Sequence, residues 1–169
     1  MVVVGLDLSL TGLGMVAVPG SWASDFSLVR RNRVGTRAGQ SLGARLAYLA
    51  DAVCRWVDAA RGHEECEVWI EGSIAGKGDS FRGQLKLAGV VEHELYRRLG
   101  IEARYAEQST ARKLLLGYLP RSDRKEVVVG VLTKLTPTRW NADEYDAFVA
   151  ANYGLSELGL AFVSIAEAA

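Results

Sequence analysis

The sequence predicts an α/β fold. Three observations carry that expectation: a buried strand hairpin opens the chain, a second apolar strand lies at Cys66–Ile70, and stretches with helical periodicity flank that second strand. At 169 residues the chain is expected to form one domain, residues 1–169, with a core that needs no staples. Apolar residues make up 49% and charged residues 24%, a globular rather than a disordered balance. No apolar window is long enough to span a bilayer, and no basic leader opens the chain, so a cytoplasmic protein away from membranes is expected. Cys54 and Cys66 lack the paired spacing of a zinc site and read as reduced thiols.

Val2-Val3-Val4 is a strand buried on both faces, and Asp7 stands at its end, where an apolar residue would be ordinary. Ser9, Thr11, Gly12 and Gly14 supply turn chemistry, and Met15–Val18 resumes the strand pattern, completing a hairpin. A carboxylate at the mouth of a buried strand is costly unless it is paired or holds a metal. The plainer alternative is that Asp7 caps the turn. Phe26–Val29 is expected as a third strand, running into the basic stretch Arg30-Arg31-Asn32-Arg33. That stretch reads first as a solvated strand edge, where charge blocks edge pairing, and second as a DNA contact.

Gln40–Arg61 is a helix with Leu42, Leu46, Leu49, Val53, Trp56, Val57 and Ala60 on one face, capped by Gly62. Cys66–Ile70 is the second buried strand, closed by Glu71. So a second carboxylate ends a strand as Asp7 does. The glycine-rich stretch 72–79 carries Lys77 but lacks the spacing of a phosphate-binding loop. Ser80–Leu99 is a helix with Leu85, Ala88, Val91, Leu95 and Leu99 on one face. Leu87 and Val90 widen that face beyond what one sheet requires, a hint of a second subunit.

Ile101–Tyr105 is a short strand and Ser109–Leu116 a helical turn. Asp123 with Glu126 reads as a capping box for a helix to about Leu135, with Val128, Val131, Leu132 and Leu135 inward. Asn141 caps a last helix that runs to Tyr153 and is expected to stop at Gly154. Leu155–Ala169 reads as a packing tail. On the last helix Asp143, Asp146, Ala147 and Ala150 share a face, and the alanines allow close approach to a sheet.

Four acids therefore stand out: Asp7, Glu71, Asp143 and Asp146. Gathered in one place without cations, they would force at least one carboxyl to keep its proton. Hard divalent ions with oxygen ligands relieve that repulsion, and magnesium suits such a site. Two ions about 4 Å apart can bind the attacking and leaving oxygens of a phosphodiester displacement. Formal net charge is zero, which argues against binding nucleic acid through global charge. The distribution is uneven, however. Between Arg112 and Arg139 seven Lys or Arg face only Asp123 and Glu126, so a local basic face survives.

The segments Gly5-Leu6-Asp7-Leu8-Ser9-Leu10-Thr11-Gly12-Leu13-Gly14, Ile70-Glu71 and Ala142–Ala150 together resemble the RuvC-type Holliday junction resolvases of the ribonuclease H-like superfamily. Tyr105–Lys113 and Asp123–Val127 look like that family's DNA-contacting segment. The resemblance implies a mixed five-stranded sheet flanked by helices, working as a homodimer on branched DNA, four-way junctions above all. It implies two Mg²⁺ (or Mn²⁺) per subunit, with Asp7 bridging them and Glu71, Asp143 and Asp146 completing their shells as the catalytic set. Water would attack phosphorus, leaving a 5′-phosphate and a 3′-hydroxyl. Lys77, Arg112, Lys113, Arg124 and Lys125 would be the DNA-binding positions, against a plain reading as surface charge. One departure bears on selectivity: Ile74 stands where the family carries an aromatic, and the next aromatic is Phe81. A broader flap or fork endonuclease of the same fold is the nearest rival. A non-catalytic DNA-binding module and a nucleotide-binding module of the sugar-kinase and actin type are more distant ones.

Overall fold

The structure is a computed structural model that describes the backbone of residues 1–72, 79–117 and 124–165, and their side chains except those of 79–81 and 124–125. Strands β1 (Val2–Asp7), β2 (Gly12–Pro19), β3 (Arg30–Gly35), β4 (Cys66–Gly72) and β5 (Ala103–Glu107) form one mixed sheet in the order β3-β2-β1-β4-β5. The β1–β2 and β2–β3 pairs are antiparallel, while β1–β4 and β4–β5 are parallel. Helices α1 (Leu42–Arg61) and α2 (Asp79–Leu99) cover one face. The other face carries α3 (Gln108–Leu116), α4 (Arg124–Leu135) and α5 (Ala142–Glu157).

The unbroken apolar run at the start of β1 follows from this sandwich. Val2, Val4 and Leu6 face α1 and α2, and Val3 faces α5, so alternation has no polar side to show. Helix α5 lies directly on β1 and β2. A methyl group at Gly5 would overlap the carbonyl of Ala147, and one at Gly14 would overlap the backbone of Asp143. These two glycines set the height of α5 above the sheet.

Several expectations shift by a few residues, each for a visible reason. Phe26–Leu28 is a single 3-10 turn, not a strand, and Asp25 caps it by accepting from Ser27 N at 2.9 Å. Phe26 leaves the strand pattern to join Trp22, Trp140 and Phe148 in an aromatic cluster. The third strand is instead the basic stretch itself, paired antiparallel with β2 from Ala17↔Arg30 to Gly12↔Gly35. Helix α5 does not stop at Gly154, because that glycine faces the Trp69 indole, where a side chain would not fit. It runs on to Glu157, and Gly159 takes the left-handed turn with φ +67°. Leu85 is 57% exposed and Leu135 44%, so neither joins the core, whereas Leu87, Val91 and Leu95 do.

Other expectations stand. Ser41 caps α1 through Ala44 N, and Gly62 closes it with φ +57°. Asn141 and Glu144 form a reciprocal capping box at the start of α5. The tail packs without regular structure up to Ser164, pinned where Asn152 both donates to Val163 O and accepts from Val163 N. Both cysteines are free. No described helix is long and apolar enough to cross a membrane.

Candidate metal centre

The parallel pairing of β1 and β4 sets Leu6 opposite Ile70, so Asp7 and Glu71 end adjacent strands side by side. The close approach of α5 at Gly5 and Gly14 then brings Asp146 over the same two strand ends. One carboxylate oxygen each from Asp7, Glu71 and Asp146 lies within 4.8 Å of the others, the one acidic group of this kind among the described residues. Asp146 is 1% exposed. Three carboxylates converging at this range, on elements locked by packing, could hold a hard divalent ion.

The fourth acid stands apart. Asp143 accepts from Arg33 Nε at 2.8 Å and is not in the three-acid group. The register explains the pairing. Arg33 lies opposite Gly14 in the β2–β3 ladder, and Gly14 touches the backbone of Asp143. Arg31, two residues away on the same face of the edge strand, bonds both oxygens of Glu144 at 3.0 and 3.1 Å. The basic stretch is thus an edge strand, as its charge suggested, and two of its arginines also clamp the first turn of α5.

Arg112 likewise lies elsewhere than a phosphate-contacting surface. It is buried, and its Nη2 donates to Asp146 Oδ1 at 2.8 Å and to Glu71 Oε1 at 3.3 Å. Gln108, one turn earlier on the same face of α3, donates to the same Glu71 oxygen at 2.8 Å. Glu71 Oε1 is therefore oriented by two donors from one helix. Sequence reading missed Gln108 and the inward aim of Arg112; the signal available was their four-residue spacing in a helix that starts where β5 ends beside Glu71. Helix α3 is itself anchored there. Glu107 caps it, accepting from Ser109 N and Thr110 N. Burial works to raise the Glu107 carboxyl, but the hydrogen bonds from Thr110 and Ser109 outweigh it and bring it down to about 2.

A cleft of about 570 Å³ opens onto these groups, bounded by Asp7, Glu71, Leu85, Tyr105, Glu107 and Gln108. Leu85, which stands outside the core, is a wall of this cleft. Lys113 is exposed on α3. Lys77 lies outside the described residues, as do Ile74 and Asp123. Arg124 and Lys125 open α4, and their side chains, like that of Phe81, also lie outside.

The order and direction of the strands define a ribonuclease H-like fold, with acids at the ends of its first and fourth strands. Among solved structures it is similar to Thermus thermophilus RuvC, with a TM-score of 0.70 and 16% identity over 96% of this chain and 99% of that one. It is equally similar to T. thermophilus RuvC in complex with a Holliday junction substrate, at TM-score 0.70 and 18% identity over 94% of this chain and 97% of that one. The fold is RuvC-like. No protein-family model matches the sequence, and no curated protein matches it.

Proposed function

We propose that the chain is a divalent-metal-dependent endonuclease acting on branched DNA, with four-way junctions as its principal substrate. The observation that carries this reading is the convergence of Asp7, Glu71 and Asp146 within 4.8 Å, at the mouth of a cleft on a RuvC-like fold. The solved neighbour that holds a Holliday junction supports the choice of substrate. Asp7, Glu71 and Asp146 would hold Mg²⁺ or Mn²⁺, which when bound supplies Lewis-acid stabilisation of the charge that develops in phosphodiester hydrolysis. Gln108 and Arg112 orient Glu71, and Arg112 also holds Asp146. The water-accessible cleft admits the scissile strand, and hydrolysis leaves a 5′-phosphate and a 3′-hydroxyl. Two ions per subunit call for Asp143 as a further ligand, and Asp143 is engaged by Arg33.

The protein is further proposed to act in the cytoplasm as a single nuclease domain that pairs into a homodimer, so that two cuts fall symmetrically across a junction. Leu87 lies in the chain's own core and Val90 packs against it, so the partner helix rests on exposed Tyr96 of α2, and the free cysteines fit a reducing compartment. Lys77, Lys113, Arg124 and Lys125 remain the proposed phosphate contacts.

The test is cleavage of end-labelled four-way junction, 5′ flap, fork and plain duplex with Mg²⁺, Mn²⁺ and Ca²⁺ in parallel. Paired symmetric nicks in the junction are expected with Mg²⁺ or Mn²⁺, and Asp7→Asn should bind the junction without cutting it. Full cleavage by Asp7→Asn overturns the proposal. Single cuts confined to flaps and forks would replace the junction reading with the broader branched-DNA nuclease.

A further inference from the structure

The acids that the last helix offers are not equivalent. Asp146 lies among Asp7, Glu71 and Arg112 with its side chain 2% exposed, while Asp143, three residues earlier, is 29% exposed and bound to Arg33. Residues three apart on a helix are neighbours, so Asp143 sits beside the acid group without belonging to it. What separates it is a residue of the edge strand. Arg33 meets Asp143 because β3 pairs with β2 in a register that sets Arg33 opposite Gly14, and Gly14 is where the backbone of Asp143 comes down on the sheet.

The arginine lies along β2. A methyl group at Gly12 would reach ordinary contact with Arg33 Nη2 at 3.4 Å, which places the guanidinium directly over this stretch of β2. A second divalent ion would need a further anion beside the three-acid group, and the neighbouring Asp143 is already paired with Arg33. Like charges at such range repel, and an added cation needs an added anion to hold it.

We propose that Arg33 sets the number of metal ions: by pairing with Asp143 it limits the DNA-free protein to one divalent ion per chain, held by Asp7, Glu71 and Asp146. This rests on the metal-dependent nuclease reading given above. Arg33 is a positioning residue, acting through Asp143 and touching neither substrate nor ion. Its pair with Asp143 is half exposed, and pairs of that kind exchange readily, so the restraint is reversible rather than structural.

The test is calorimetric titration of the DNA-free 169-residue chain with MnCl₂, with low-temperature electron paramagnetic resonance on the same samples. Wild type should bind one Mn²⁺ with a mononuclear signal. Arg33→Ala should bind two and show the broadened signal of a spin-coupled pair, and Arg33→Lys should return to one. Arg31→Ala, which loses the neighbouring bond to Glu144 but not the Asp143 pair, should stay at one. Asp143→Asn should also bind one ion with unchanged affinity, which keeps the question decidable if Arg33→Ala does not fold. Two ions on the wild type, one ion on a folded Arg33→Ala, or loss of the first ion in Asp143→Asn each overturns the inference while leaving the nuclease reading intact. Absence of any Mn²⁺ binding overturns both.

Discussion

One nitrogen of Arg112, Nη2, lies 2.8 Å from Asp146 and 3.3 Å from Glu71, so a buried guanidinium bridges acids carried by the last helix and the fourth strand. Such a pair gains little over an apolar replacement, but losing one member leaves the other charged and buried. Arg112→Ala is therefore expected to destabilise the metal-free protein by about 3 kcal/mol. A bound divalent ion would compensate part of the lost positive charge. Urea denaturation with and without Mn²⁺ should then show a larger metal-induced stabilisation in Arg112→Ala than in wild type.

Gly5 is expected to be the most sensitive glycine in the sheet. Its missing side chain is what lets the Ala147 carbonyl rest on β1, and backbone cannot step aside as a flexible side chain can. Gly5→Ala must lift α5, breaking contact across the core around Val3 and Phe148 and carrying Asp146 away from Asp7. Overpacking of this kind costs about 3 kcal/mol. The measurement is chemical denaturation, with Mn²⁺ affinity as the second readout; both should fall together.

Those glycines also show what the sequence could and could not express. The strands that read well were those buried on both faces: the valines of β1 and the run Val68-Trp69-Ile70 have no alternative to a covered sheet. The edge strand did not read, because Arg30–Gly35 has one mate and needs no apolar pattern, while the apolar residues just before it belong to an aromatic cluster. Gly154 looked like a helix stop because its reason for being glycine, the Trp69 ring, comes from a strand far away in sequence. At the centre, the sequence grouped Asp7, Glu71, Asp143 and Asp146 from two strand ends and the start of a helix, and three of the four converge. The partners of Asp143 and Arg112 were not legible, since ion pairs between distant elements depend on register and on helix height, which no local pattern encodes.

Glu107 gives the pH dependence. Its carboxyl is held at about 2 in the folded protein against an ordinary 4.5, so it contributes stability above the ordinary value. That contribution is lost as pH falls from about 4.5 towards 2. Glu107→Gln should flatten the acid limb of the stability curve over that window. Glu107→Ala, which removes the cap of α3, should cost about 1 kcal/mol at neutral pH. Thermal melts from pH 7 to pH 2 would separate the two effects, and an acid limb as steep in Glu107→Gln as in wild type would refute the assignment.

Metal binding should register as stability even where no DNA is present. An ion that binds only the folded chain stabilises it by about 2.7 kcal/mol at one hundred times its dissociation constant, and the three-acid group exists only when β1, β4 and α5 are assembled. Adding Mn²⁺ or Mg²⁺ is therefore expected to raise the melting temperature of the wild type. Asp7→Asn and Glu71→Gln each remove one of the three converging carboxylates and should lose most of that rise. Lys113→Ala, exposed on α3 outside the acid group, should keep it in full while weakening junction binding at low salt. If chelator and excess Mn²⁺ leave the same melting curve in wild type, the acids are held by their protein partners alone, and the metal-dependent reading fails at its first step.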